Sequence, residues 1–467
     1  MLSRVSRWNW IRLGGVVACA SAAVLLVLSA NAASTLPADD WQFDLIHTRN
    51  GKVHQGLLVA ETTEYVKFWR IIRVPGRPTR RMFWSYETSD ITKIERLSDD
   101  QRHVLEERIR ALDPDHEKQC MERLKLLPTA WGGEPNGGLC YRSDYFLLVS
   151  DAREEIVRRA AFRLERIYAA LARFMPPRRM APPTRILLVR SQQEYQTLLA
   201  KRGLHFLNPA FYDRDRQEIV CACDLERFGE ELAAAQLRHR QNRERLRAQE
   251  RALEREHRGN IPQKLMKPLN QQFAALDEAD RTNEHQFEES SKRFFETLYH
   301  EACHAYVATF VYAKTDKMPS WLQEGLAQIF ESAILDGMEF RVGHLDAARV
   351  ERLRTAGRRG DLPGLLGLLR AGPRQFMANH TQEKSATDSY YLSAWALAHY
   401  LVFDRELLGS AELDRYVTAL EGGADPLAAF EQLVDEPIAS FVKSMPPELR
   451  LSLTAGENSI YAGDRRP

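Results

Sequence analysis

Two histidines and a glutamate in one short segment have the spacing of a metal-binding motif. The segment reads His300-Glu301-Ala302-Cys303-His304. On a helix, residues four apart share a face, so His300 and His304 can present two imidazole nitrogens to one Zn²⁺. Glu301 is rotated about a quarter turn away (~100°), where its carboxylate can act as general base on a water beside the metal. Two histidines predict a zinc site that still needs a third protein ligand and an open position.

A second segment supplies the third ligand that the histidines require. It reads Pro319-Ser320-Trp321-Leu322-Gln323-Glu324-Gly325-Leu326-Ala327. Ser320 followed by Gln323 is typical of a capping box, so a helix is predicted to begin here. Glu324 would then offer a carboxylate toward the first helix. Gly325 lacks a side chain and would let the two helices approach closely.

Together the two segments resemble the gluzincins, the thermolysin-like family of zinc metallopeptidases. The Trp-Leu-x-Glu-Gly-Leu-Ala wording also resembles peptidase-MA-like domains. The resemblance implies a zincin-like fold in which His300, His304 and Glu324 bind zinc. It also makes Glu301 the general base of peptide hydrolysis. The family often has an acid four places after the ligand glutamate, where this chain has Gln328, whose amide oxygen could still accept an imidazole N–H.

Hydrolysis also needs a group that stabilises the oxyanion besides the metal. Tyr391 matches a tyrosine of the related domains in the wording Tyr-x-x-Ala-Trp-x-Leu, and its phenol could donate to the tetrahedral intermediate. The alternative is an aromatic helix start packed on the core. His380 and His399 are runner-up donors. Cys303 is displaced around the helix from both histidines, which favours a packed thiol over a fourth ligand.

The first 32 residues predict export. Arg4, Arg7 and Arg12 precede an apolar stretch, and Ala30-Asn31-Ala32 provides the small residues of a cleavage site. The alternative is an uncleaved membrane anchor, the one case in which a membrane contact is expected. We therefore expect a periplasmic or secreted protein. In such a compartment Cys120 and Cys140 could form a disulfide.

The sequence predicts an α+β protein, and the resemblance implies a zincin-like catalytic domain formed by a small sheet, the active-site helix and a C-terminal helical lobe. The first part has the pattern of about five short β-strands, which suggests a small barrel or an open sandwich. It resembles SH3-like modules, with a structural cap that binds no ligand as the alternative. A pair of antiparallel helices is predicted inside the catalytic domain, from leucines at multiples of seven in which His239 takes one position. The predicted segments are a signal peptide (1–32), a small SH3-like β-barrel (38–98), a helix-and-loop linker (99–140), the peptidase domain (141–450) with its inserted helical hairpin (225–293), and a flexible tail (451–467).

These patterns predict a zinc-dependent peptidase that acts on a peptide or protein outside the cytoplasm. Basic and acidic residues nearly cancel, 65 against 64, so no overall positive field recruits nucleic acid. One alternative is a catalytically idle, zinc-stabilised envelope scaffold, and another is a zinc amidase. An envelope protein could bind through the hairpin or the β module, although a solvated charge-rich hairpin surface is the simpler interpretation.

Overall fold

The computed structural model of the chain describes residues 41–204, 208–223, 225–312, 318–376 and 384–446. The predicted signal peptide, the predicted tail and His380 lie outside the described residues. In the part described, no helix combines the length and the apolar character that a membrane crossing needs. The architecture is mixed α+β, as the sequence predicts, with three small sheets and a helical C-terminal part.

An antiparallel sheet forms the N-terminal module. Its strands are β1 (Asp44–Thr48), β2 (Val53–Glu61), β3 (Tyr65–Ile72), β4 (Arg80–Glu87) and β5 (Ile91–Glu95). They are ordered β4-β3-β2-β1-β5, with β5 returning to pair with β1. The hairpin between β1 and β2 turns at Gly51, which has φ +77°, a left-handed conformation that favours glycine.

The predicted barrel is wrong, because this sheet does not close. In the described residues β4 and β5 are its two edges and do not pair with each other. Closure is not required to bury the apolar side chains. Helix α1 (Asp99–Ala111) covers one face with Leu105 and Ile109, which pack against Trp41 and Ile71. A separate cluster around Phe68 fills the other face.

The second sheet belongs to the larger part of the molecule and combines parallel and antiparallel pairs. Its elements are helix α2 (Pro114–Glu122), β6 (Leu127–Trp131), β7 (Glu134–Arg142), β8 (Phe146–Ser150), α3 (Glu154–Phe174), β9 (Thr184–Val189), α4 (Gln192–Lys201), β10 (Ala210–Asp213) and β11 (Glu218–Ala222). The six strands are ordered β10-β11-β9-β8-β7-β6. Strands β8 and β9 are parallel and joined by α3, which makes a β–α–β unit.

The end of the predicted helix-and-loop linker (99–140) is instead part of a β-hairpin at the edge of this sheet. Strands β6 and β7 pair with each other, and β7 pairs with β8. The turn lies at Gly132 and Gly133, both at positive φ. These glycines therefore mark a hairpin turn and not a domain linker, while Pro128 and Pro135 lie within β6 and β7. Cys120 and Cys140 are both free thiols, so the disulfide considered between them is absent.

Two long helices form the predicted hairpin. They are α5 (Glu226–Glu256) and α6 (Gln263–Tyr306). Their pairing is antiparallel, since Gln236 contacts Glu284 while Arg243, further along α5, contacts Asp277, earlier on α6. His239, at the polar position of the leucine repeat, pairs with Asp280 of the other arm. The two interruptions of the apolar pattern therefore meet each other.

The C-terminal part is almost entirely helical. It consists of α7 (Ser320–Glu331), β12 (Ile334–Asp336), β13 (Glu339–Arg341), α8 (Ala347–Arg359), α9 (Leu365–Leu369), α10 (Pro373–Phe376), α11 (Lys384–His399), α12 (Ala411–Glu421), α13 (Pro426–Val434) and α14 (Ile438–Ser444). A short π-helical segment, Val307–Val311, extends α6, and another, Tyr400–Asp404, extends α11. The core of this part is continuous with that of α3 and α6.

The N-terminal module is attached to the small β12–β13 hairpin. Asp336, which is 4% exposed, accepts hydrogen bonds from the backbone N–H of Thr79 at 2.8 Å and from its hydroxyl at 2.7 Å. Arg73 and Arg341 lie 3.6 Å and 3.3 Å from the same carboxylate. This buried carboxylate fixes the loop between β3 and β4 directly after helix α7.

Gly325 permits a close contact of α7, but with α11 and not with the histidine helix α6, where the sequence predicts it. A Cβ at this position would lie 2.5 Å from the backbone oxygen of Ala394 and 2.6 Å from the Cβ of Ala398. Gly325→Ala is therefore expected to lower the free energy of unfolding by about 1–3 kcal/mol, because a backbone group must shift. Denaturant unfolding measures this difference. Gly367→Ala is the matched control, since a Cβ there meets nothing within 4 Å, and equal stability of the two variants would contradict the assignment.

Candidate metal centre

Helix α6 positions the two histidines side by side. Its buried residues around the motif, among them Leu298, Ala302 and Tyr306, pack into the core and leave the histidine face directed away from it. The Nε2 atoms of His300 and His304 lie 3.1 Å apart. Both side chains are largely buried, with 17% and 18% of their surface exposed. The predicted spacing thus places two imidazole nitrogens at one point.

Helix α7 brings Glu324 to the same point. Its Oε2 atom lies 3.3 Å from Nε2 of His300 and 3.6 Å from Nε2 of His304. The helix begins at Ser320 as predicted, but the capping box is wrong. No side chain caps the helix, and the Gln323 amide donates instead to the backbone oxygen of Met318 at 2.7 Å. These three residues form a possible metal-binding triad.

A fourth residue, Glu331, orients the first histidine. The Nδ1 atom of His300 lies 3.0 Å from Oε2 of Glu331, seven residues after Glu324 on α7. A carboxylate acceptor favours the tautomer with the proton on Nδ1, so the lone pair of Nε2 faces Glu324. Arg349 of α8 holds Glu331 from the other side, with Nη2 3.2 Å from Oε1.

The interaction considered for Gln328 is wrong. Its amide nitrogen donates to the backbone oxygen of Tyr391 at 2.9 Å, which joins α7 to α11. None of its described contacts reaches an imidazole. The orienting acid is therefore at Glu331, one turn later than the family pattern places it. Residues seven apart on a helix share a face, and this spacing is the sequence signal that could have identified Glu331.

The charges of the site are strongly coupled. Burial opposes the charged form of His300, but the carboxylates of Glu324 and Glu331 outweigh burial and hold the pKa of the imidazole well above its ordinary value. Burial also acts to raise the pKa of Glu324, yet the closeness of the His304 and His300 imidazoles holds this pKa far below the ordinary value. Positive charge between the donor atoms of His300, His304 and Glu324, either a proton or a metal cation, therefore stabilises the site.

The arrangement fits a metal ion. With the proton of His300 on Nδ1, two nitrogen lone pairs and a carboxylate oxygen converge on one point, and they repel one another unless a cation lies between them. Glu324 Oε2 is buried, and it has no hydrogen-bond partner within the described part of the chain. His300, His304 and Glu324 are thus the residues that could hold an ion.

Glu301 lies beside the triad with its carboxylate free. It is half-buried, and it has no hydrogen-bond or ion-pair partner among residues the structure describes. Cys303, between the histidines in sequence, is buried, and burial together with the charges of Glu324 and Glu301 raises the pKa of its thiol. Its sulfur is not among the donor atoms that converge at the site, which agrees with the predicted packed thiol.

Tyr391 lies near the acidic groups of the site, but its hydroxyl is engaged. It donates to the backbone oxygen of Phe376 at 2.8 Å. Burial and the charges of Glu324, Glu301 and Glu331 raise the pKa of the phenol, which keeps its proton available.

Another predicted donor, His399, does not contact the metal triad. Its Nε2 lies 3.2 Å from the backbone oxygen of Gly343, its ring packs against Trp395 and Phe403, and no described contact joins it to the triad.

Removal of the orienting acid is expected to weaken metal binding. Glu331→Gln keeps the shape of the side chain but loses the charge that fixes His300, so metal affinity should fall about 10–100-fold. Competition with a chromogenic chelator measures this change. The exposed Glu351→Gln of α8 is the control. Unchanged affinity in Glu331→Gln would remove Glu331 from the site.

The comparisons with known proteins identify a family segment that contains this site. Residues 295–412 match the family described as "Protein of unknown function (DUF1570)". The matched segment includes the three possible ligands together with Glu301, Glu331 and Tyr391. No curated protein matches the chain.

Proposed function

We propose that this protein is a zinc-dependent metallopeptidase that hydrolyses peptide bonds outside the cytoplasm. The observation that carries the proposal is the convergence of three donor atoms, 3.1–3.6 Å apart, beside a free carboxylate. Donors about 2.0–2.1 Å from a tetrahedral Zn²⁺ are separated by roughly 3.3 Å. Two imidazoles and a carboxylate are also a ligand set that suits zinc, and they leave a fourth position open.

A zinc ion at this site would supply Lewis-acid chemistry, lowering the pKa of a water molecule and polarising the scissile carbonyl. Glu301 is the base of the proposed reaction. Its carboxylate accepts the proton of the attacking water and returns it to the leaving amine. Because its oxygens carry no other described contact, Glu301 can turn from one partner to the other.

The second proposed catalytic group is Tyr391, whose protonated phenol could donate to the oxyanion. In the structure this hydroxyl donates to Phe376 instead. The proposal therefore requires it to exchange the carbonyl of Phe376 for the oxyanion when substrate binds. Gln328, which donates to the backbone oxygen of Tyr391, ties that residue to the helix carrying Glu324.

The gluzincin resemblance of the two motifs and the leader pattern support the same proposal from the sequence. The first supports peptide hydrolysis, and the second supports an exported protein. A free carboxylate next to an open coordination position argues against the idle scaffold, since a purely structural zinc site uses four protein ligands.

The test is hydrolysis of a peptide library by the zinc-loaded chain, with products mapped by mass spectrometry. Cleavage that stops when a chelator removes the metal, and returns when zinc is added back, is the expected result. A zinc-loaded chain that cleaves nothing across broad libraries would overturn the peptidase and favour the scaffold. Turnover of non-peptide amides alone would identify an amidase instead.

A further inference from the structure

A large cavity lies one helical turn from the metal centre. It has a volume of about 950 Å³, is partly open to solvent, and is bordered by α2, α3, the α5–α6 hairpin, the loop between β3 and β4 and the segment 332–335 after α7. Glu296 lines it and lies four residues before His300, about 6 Å along the same helix face. The metal ligands themselves do not line it. The size is at the upper end of the range found for ligand sites.

Negative charge predominates in the wall of this cavity. Twelve aspartate and glutamate residues line it, against seven lysine and arginine residues. The positive charges of the wall arginines are largely neutralised by neighbouring carboxylates. Arg159 donates to Glu284 and Glu288 at 2.7 Å and 2.6 Å, and Arg163 is paired with Glu288.

Several of the carboxylates have no such partner. The side chains of Glu117, Glu155 and Glu289 make no ion pair or hydrogen bond with any residue in the described ranges. Burial raises the pKa of Glu117 although the charge of Arg163 opposes it, and burial raises the pKa of Glu296 although the charge of Lys292 opposes it. Both are carboxylates partly withdrawn from water, and the nearby cations do not fully offset the effect of burial.

The floor of the cavity is apolar. Buried side chains of α3 and of both hairpin arms form it, including Ile156, Leu232, Phe287 and Phe295. An apolar floor with acidic walls suits lysine and arginine side chains, which have apolar stems and charged ends. Apolar side chains offer no ligand atoms, so such a floor does not suit a metal ion.

We propose that this cavity binds a positively charged peptide segment. If the protein is the proposed peptidase, this segment is part of the protein substrate and lies beside the bond to be hydrolysed. That identification of the occupant rests on the proposed function. Elements outside the metal centre also border this cavity. Helix α2, the hairpin and the N-terminal module each supply a wall, and the bonds of Asp336 to Thr79 fix the β3–β4 loop in place.

The test measures binding without turnover. The probe is a fluorescein-labelled octapeptide of alternating lysine and alanine, titrated by anisotropy against the purified chain in a chelator at low salt. Glu117→Gln combined with Glu289→Gln should weaken binding about tenfold, because each change removes a charge from the wall. Glu289→Gln alone, at an exposed side chain that folding does not require, should weaken it about threefold.

The matched control removes the same charge outside the cavity. Glu64 and Glu254 are exposed, and neither lines the cavity, so Glu64→Gln combined with Glu254→Gln should bind the probe as the unaltered chain does. Equal affinity of the two double variants, or equally tight binding of a glutamate–alanine octapeptide, would overturn the inference. Because no metal is present, this result is independent of catalysis. Binding without any hydrolysis would leave the cavity assigned and remove the peptidase, whereas hydrolysis without charge-dependent binding would do the reverse.

Discussion

Glu301→Gln is expected to lose hydrolysis while keeping its metal. The amide has the shape of the carboxylate but cannot accept the proton of the attacking water, so kcat should fall by about 10²–10⁴. The three ligands are untouched, so the zinc content should stay that of the unaltered chain. The measurement pairs metal analysis with the rate of cleavage of a peptide that the unaltered protein hydrolyses.

The control for this variant is Glu254→Gln, which makes the same substitution at an exposed position on the first arm of the hairpin. It should change neither quantity. Full activity of Glu301→Gln would refute the assignment of the base. Loss of zinc together with activity would show that Glu301 acts on the metal site and not on the proton.

Glu324→Ala is expected to lose the metal itself. Two histidines would remain, and the carboxylate that lies 3.3 Å and 3.6 Å from their nitrogens would be gone. Zinc affinity should fall by more than about 100-fold, since the loss of a direct ligand exceeds that of an orienting group. Isothermal titration with zinc, or chelator competition, measures the change.

The neighbouring variant Gln323→Ala is the control for Glu324→Ala. It removes a side chain from the same turn of α7 without removing any of the three donor atoms. It should bind zinc like the unaltered chain. If Glu324→Ala also retained full zinc affinity, Glu324 would leave the ligand set and the site would need another third donor.

The candidate site was largely predictable from the sequence because its parts are local. His300 and His304 share a face through helical periodicity alone, and Glu324 follows in a segment that begins a second helix. The role of Glu331 was not predicted, because Glu331 lies about one helical turn beyond Gln328, the position where the family resemblance places an acid. The contact of Tyr391 with Phe376 was equally invisible, since it depends on how α10 and α11 pack.

The fold was predictable where periodicity extends over many residues and not where strand pairing is nonlocal. Leucines at multiples of seven predict the helical hairpin. They do not predict that His239 pairs with Asp280. The segment 128–138 has the glycines of a linker, and only its pairing with β8 through β7 makes it part of a sheet. Whether the N-terminal strands close a barrel depends on α1, which covers one face of the sheet and makes closure unnecessary.

Metal analysis of the unaltered chain tests the central claim most directly. The protein should be isolated gently, without chelators and with zinc supplied throughout, and then measured by native mass spectrometry and elemental analysis. One zinc ion per chain is the result expected from a triad whose donors converge on one point. A chain that stays empty under these conditions would contradict the metal centre, and with it the proposed peptidase.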